Sequence, residues 1–232
     1  MENLDNTEEN LRKNANLKFR TKNFEAAIII YNKILEIKKD DLVSLEFRGI
    51  CKFRLKDYNG ACTDFMKVIE QKPDTTSVYI HLGLMKFIEK DFLGAIQDFN
   101  KRINAYPKDF FAYRHRGDSK IKIKDFKGAI EDYNMSIKFN PNDFFTYRLR
   151  GDAKFDNEDF KGAILDFDKS IELNPIQDIA FLARGISKIK LNQKVDGCKD
   201  LAKSSELGNI DALNYIQKFC VKPNDNEQLK LF

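Results

Sequence analysis

A lysine recurs every thirty-four residues along this chain, at Lys18, Lys52, Lys86, Lys120, Lys154 and Lys188. An arginine stands four places before it at Arg48, Arg116, Arg150 and Arg184, and an aspartate follows at Asp64, Asp98, Asp132, Asp166 and Asp200. Opposite charges held at constant spacing are either ion pairs inside a repeated fold or a strip that binds polyanions. Every block with the arginine also has the aspartate, whereas the first block has Asn14 and Ile30 in those places. We therefore expect structural pairs between two helices, with the lysine stems over the core and their amines reaching water.

Other chemistry has less to stand on. The two histidines, His81 and His115, occupy equivalent places in successive blocks, with no cysteine or carboxylate ligand set between them. They are expected to be exposed groove residues, not a metal site. Cys51, Cys62, Cys198 and Cys220 lie far apart with no CxxC pair, which reads as reduced, buried thiols. No GxxxxGK[ST], GxSxG, HExxH or GxGxxG occurs, so neither an enzyme nor a cofactor is expected. RGD appears at 116–118 and 150–152, but inside expected helices, where recognition of an exposed adhesion loop is implausible.

The elements that position these residues follow from the same period. GAIQDFNKRINAY (94–106), GAIEDYNMSIKFN (128–140) and GAILDFDKSIELN (162–174) are copies thirty-four residues apart. Six blocks result, 8–41, 42–75, 76–109, 110–143, 144–177 and 178–211. The eighth place of each is small (Ala15, Gly49, Gly83, Gly117, Gly151, Gly185), and so is the twentieth (Ala27, Ala61, Ala95, Ala129, Ala163, Gly197). Small residues at matched places let two backbones approach, as in a helical hairpin. Aromatics at places seventeen and twenty-four, such as Phe126 and Tyr133, lie on one face of the second helix with Ile130 and Ile137. Pro73, Pro107, Pro141 and Pro175 close that helix in four blocks.

Small, small, aromatic, small and proline at these intervals resemble the tetratricopeptide repeat, a helix-turn-helix unit, over residues 8 to 211. The forms FRG, HRG, LRG and ARG followed by DFxGAIxDFxKxIExNP resemble bacterial members. The resemblance implies an all-α solenoid, a right-handed superhelix of six hairpins. Ala212, Leu213, Ile216 and Phe219 add a C-terminal capping helix over 210–220. Residues 1–7 read as a polar extension and 223–232 as a mobile tail.

Function in this family is expected on the concave wall, at block places two, five, nine and twelve of the first helix. These places and their neighbours give the candidate partner-binding set Arg12, Asn16, Phe19, Phe53, His81, Phe87, Phe111, Arg114, His115, Asp118, Phe145, Arg148, Asp152 and Phe155. Phe111, Arg114 and Asp118 are repeated as Phe145, Arg148 and Asp152, which makes blocks four and five the preferred centre. Each arginine is expected to pair along its helix with the aspartate four places on, while offering edges to a ligand carboxylate. The partner is then a protein or peptide with apolar and acidic groups. In one branch of the family a basic and amide clamp holds the carboxylate tail of heat-shock chaperones. Arg12 and Asn16 match its first places, but Phe47, Ser77 and His81 replace the others.

Composition leaves two alternatives. Forty Lys and Arg against thirty-six Asp and Glu give a net charge of +4, a weak basic bias compatible with RNA or another polyanion along the wall. Glu9, Glu46, Asp118 and Asp152 interrupt that wall and make nucleic acid the poorer fit. Self-association through the groove or an open end is the other. The longest apolar run, 26–31, is too short to span a membrane. With no basic start or apolar leader, a cytoplasmic location is expected.

Overall fold

The computed structural model describes residues 7–221, so most of the polar extension and the whole expected tail lie outside the described residues. Within 7–221 the chain is entirely helical, and it divides into two compact units that meet at 107/108. The first unit holds three hairpins: α1 (Glu8–Arg20) with α2 (Phe24–Ile37), α3 (Leu42–Arg54) with α4 (Tyr58–Gln71), and α5 (Tyr79–Ile88) with α6 (Phe92–Ala105). The second holds α7 (Phe110–Lys122) with α8 (Phe126–Phe139), α9 (Phe144–Asp156) with α10 (Phe160–Leu173), and α11 (Asp178–Lys190) with α12 (Lys194–Glu206). It ends on α13 (Asp211–Phe219).

Each hairpin closes by the same local chemistry. The second helix begins at an aspartate cap: Asp57, Asp91, Asp125 and Asp159 accept from the backbone N–H of Gly60, Gly94, Gly128 and Gly162 at 2.9–3.0 Å. A Cβ at Gly128 would lie 2.2 Å from the Asp125 carboxylate, which explains the invariant spacing of aspartate and glycine. One residue before each cap position the turn passes through the left-handed region, at Lys22, Lys56, Lys90, Lys124, Glu158 and Asn192 with φ from 60° to 66°. Before each proline the last helical residue gives way to an extended one, as at Asn140 with ψ 81°.

The small residue at the eighth place serves a different contact from the one expected. At Gly49, Gly83, Gly117 and Gly151 an added Cβ would strike the ring of Phe65, Phe99, Tyr133 or Phe167 at 2.6–2.8 Å. The space accommodates the buried aromatic of place twenty-four. Only in the sixth block, where Leu201 replaces that aromatic, do two backbones approach, with a Gly185 Cβ 2.9 Å from the Gly197 carbonyl oxygen.

The charged ladder pairs between the helices of the second to sixth hairpins. Arg48 and Lys52 reach Asp64 at 2.6 and 2.8 Å, and Arg184 and Lys188 reach Asp200 at 2.5 and 2.7 Å. The aspartates are 1–5% exposed, so removal of either cation would leave a buried carboxylate short of a partner. In the third block Leu82 stands where the arginine should be, and Asp98 has lysines only, Lys86 at 2.7 Å and Lys101 at 4.0 Å. That block also begins late. Thr75 and Thr76 replace the aspartate cap, Val78 makes no side-chain cap, and α5 is ten residues long instead of thirteen.

One expectation is overturned outright. Cys198 on α12 and Cys220 at the end of α13 form a disulfide, with Cα atoms 5.7 Å apart, while Cys51 and Cys62 are free. Their separation of twenty-two positions carries no sequence signature of a pair, because it is the fold-back of α13 that brings them together.

Candidate functional site

In the second unit clefts open between α9 and α11 and between α11 and α13, and the candidate residues divide sharply by what they already hold. Phe19, Phe53, Phe87 and Phe155 are half-buried and pack edge-on or tilted against the opening aromatic of their own second helix, Phe24, Tyr58, Phe92 and Phe160, at 5.2–6.1 Å. They are closing rings of the hairpin turn more than open groove surface. His81, expected to be exposed, is stacked on Phe65 at 5.5 Å and tilted against Phe53 at 5.3 Å. The sixth block place packs on the aromatic of the preceding block, as Phe47 does on Tyr31 at 6.2 Å. Burial, aided by Arg54 and Arg102, lowers its pKa to about 4.

The arginines at the fifth block place have a role that spacing did not reveal. Arg12 donates to Asp41 at 2.8 Å, and Arg114 to Asp143 at 2.9 Å. Both acceptors are the N-caps of the next first helix, so these arginines bolt one repeat to the following one. Burial of Asp41 is outweighed by its bonds from Arg12 and Ser44, which hold its carboxyl near 2. Arg114 thus does not pair with Asp118 as expected. Asp118 instead accepts from the Tyr133 hydroxyl at 2.8 Å and meets His115 Nδ1 at 3.2 Å. Asn16 has the matching place in the first block and meets the Tyr31 hydroxyl at 3.4 Å.

The fifth block keeps the same residue types and lacks both partners. The next cap is Gln177, which makes no cap bond and offers no carboxylate, so Arg148 turns back along its own helix to Asp152 at 2.6 Å. Place twenty-four is Phe167, so Asp152 has no hydroxyl donor equivalent to Tyr133. Burial pushes Asp152 up to about 6 against the pull of Arg148, and Asp156 adds to the rise. Arg148 lies over the Phe145 ring at 4.8 Å, and Arg114 lies over Phe111 at 4.9 Å and Phe145 at 5.7 Å. Phe111 and Phe145 are 47% and 41% exposed. Farther along α9, a cleft of about 290 Å³ opens between α9 and α11, lined by Asp152, Phe155, Asp156, Ala183 and Ile186.

Among the described residues no group of three or more histidine, cysteine or carboxylate side chains is arranged to hold a metal. No helix there is long and apolar enough to cross a membrane.

The family model of the tetratricopeptide repeat matches residues 15–41. No curated protein sequence matches the chain. Among solved structures it is similar to that of Pseudomonas aeruginosa PilF, with a TM-score of 0.77 at 13% identity over 91% of this chain and 97% of that one. It is similar also to the C-terminal part of a tetratricopeptide-repeat protein from Cytophaga hutchinsonii, with a TM-score of 0.76 at 20% identity over 90% and 87%. A third is YrrB, described as a repeat protein with an unusual peptide-binding site, with a TM-score of 0.73 at 16% identity over 81% and 97%. At such identities the likeness is one of fold.

Proposed function

We propose that this chain, which has the fold of tetratricopeptide-repeat proteins, is a non-catalytic scaffold that holds a peptide or protein segment against the first helices of its second unit. The observation that carries this reading is the pair of exposed rings, Phe111 and Phe145, stacked with arginines on the first helices. Rings held in place by guanidinium groups lose little freedom on binding, which favours a preformed surface over one that must be ordered. Such a surface fits a ligand with apolar side chains. Arg148 is the arginine suited to a ligand carboxylate, since among the described residues its one ion pair is with Asp152 on its own helix. Arg12 and Arg114 are committed to the caps of the next helices. The peptide site of YrrB is a precedent in the same fold.

The test is affinity capture of partners by the intact chain beside Phe111→Ser/Phe145→Ser and Arg148→Ala. Partners should be lost with the first variant and weakened about tenfold with the second, the scale of one charge-assisted bond. Arg114→Ala should instead lower thermal stability, because it unpairs the Asp143 cap. Equal capture by all three would place the binding surface elsewhere. A steep fall in binding with added salt would favour a polyanion partner. The disulfide speaks for an oxidising compartment over the cytoplasm, and thiol labelling of the protein from its native source decides between them.

A further inference from the structure

The last helix was expected only to cover an apolar end, yet its register is that of another first helix. Ala212 is fully buried, as are Ala112, Thr146 and Ala180 at the third place of their blocks. Asn209 accepts from the Ala212 N–H at 3.2 Å, as Asp109 accepts from Ala112 at 3.1 Å. Aligned on these residues, Asp211, Asn214 and Lys218 of α13 fall where α11 has Ile179, Leu182 and Ile186, which are the places of the wall proposed above. The cleft between α11 and α13, about 400 Å³, is lined by Leu182, Asp211, Asn214, Tyr215 and Lys218. Asp211 and Asn214 make no hydrogen bond or ion pair with any described residue, and Lys218 meets only the Phe219 ring, at 5.1 Å. Elsewhere on the second unit's wall the charged groups Arg114, Asp118, Arg148 and Asp152 all have partners.

We propose that α13 is a working wall of the binding surface, and that the cleft against α11 takes a ligand carboxylate on Lys218 with the adjoining apolar side chain on Leu182. Asn214, one turn away, has an amide free for the ligand backbone. Asp211 lies seven residues from Lys218, roughly 10 Å along the helix, which matches about three residues of an extended chain. Its charge excludes a second anion there and accepts a donor, so the ligand enters with one polarity. Among the described residues no second helix follows it, and the bond from Cys198 to Cys220 anchors its far end, six residues beyond Asn214 and two beyond Lys218. A dithiol reductant would exchange with this bond, leaving two cysteine thiols and the oxidised cyclic reagent, and so release that end.

This inference rests on the proposed second-unit surface, and NMR titration of the intact ¹⁵N-labelled chain separates the two. The probes are acetyl-Gly-Leu-Ala as the free acid, the same peptide as its amide, and acetyl-Gly-Leu-Glu-amide. The expected result is shifts at Leu182, Asn214 and Lys218 with at least one carboxylate peptide, binding at least about tenfold tighter than acetyl-Gly-Leu-Ala-amide. Comparison of the two carboxylate peptides tells a chain terminus from an acidic side chain. Lys218→Gln should erase that preference, and reduction should weaken binding severalfold. Equal binding of the amide, or a preference that survives Lys218→Gln, overturns the carboxylate assignment. Full binding by the reduced chain overturns the anchoring role. Shifts confined to Phe111, Phe145 and Arg148 overturn the α13 site and leave the proposed function standing. Shifts at α13 with capture unaffected by the Phe111→Ser/Phe145→Ser change do the reverse.

Discussion

His81 stacks on Phe65, is tilted against Phe53, and has a buried Nδ1 with no hydrogen-bond partner. The charged ring would have to shed water into an aromatic site already facing Arg54 and Arg102, so its folded pKa is lowered from 6.5 to about 4. The sign follows from linkage: the unfolded chain binds the proton more tightly, so stability is fully present above pH 6.5 and falls as the pH drops toward 4. The full effect is about 3 kcal/mol. Urea unfolding of the first unit between pH 7 and pH 4 measures it, and His81→Phe should flatten that slope while keeping the stack. A slope unchanged by His81→Phe would assign the acid sensitivity to the carboxylates. Equivalent spacing could not distinguish His81 from His115, because it does not say what each ring meets: His81 stacks on Phe65 of the preceding block, as Phe47 does on Tyr31, whereas His115 meets Asp118 on its own helix.

At the level of the helices, most of the fold was legible and its reasons were only partly so. The copies at 94–106, 128–140 and 162–174 mark α6, α8 and α10 within a residue or two, and the prolines mark their ends. The ladder pairing was legible too, because arginine and aspartate were present or absent together in most blocks. What the spacing hid was partnership between repeats. Arg114 has Asp118 one turn away, yet its carboxylate is the cap of α9, twenty-nine residues on. The turn residue was also hidden, since lysine gives no sign of a left-handed backbone. Four turns place Lys22, Lys56, Lys90 and Lys124 at φ of 60–66°, where a Cβ costs roughly 1–2 kcal/mol. All four are exposed, so nothing compensates through packing. Lys56→Gly should therefore stabilise the first unit by about 0.5–1 kcal/mol after the entropy of glycine is subtracted. Chemical denaturation checks it, and a loss of stability would mean that the lysine side chain makes a compensating contact.

For the whole molecule, the division at 107/108 and the single disulfide make different demands on the two units. The first unit contains Cys51 and Cys62, both free, and Cys51 is held in the thiol form by burial that raises its pKa to about 11. Reduction has nothing to act on there. In the second unit the bond closes a segment of twenty-two residues, and loop-closure entropy for that length is worth about 3 kcal/mol. Without it α13 keeps only the burial of Ala212 and the packing of its half-exposed rings, Tyr215 and Phe219, which stack on one another at 6.3 Å. A helix of nine residues held by so little apolar area should fray. Reduction should therefore lower the melting transition of the second unit by several degrees and leave that of the first unchanged. Hydrogen exchange should speed up first in α13, then in α12 around Cys198, to which α13 is tied. Cys198→Ser should reproduce both effects without reductant and be insensitive to it. A shift of both transitions together would mean that the units unfold as one cooperative body, and an unchanged transition in the second unit would mean that packing alone holds α13.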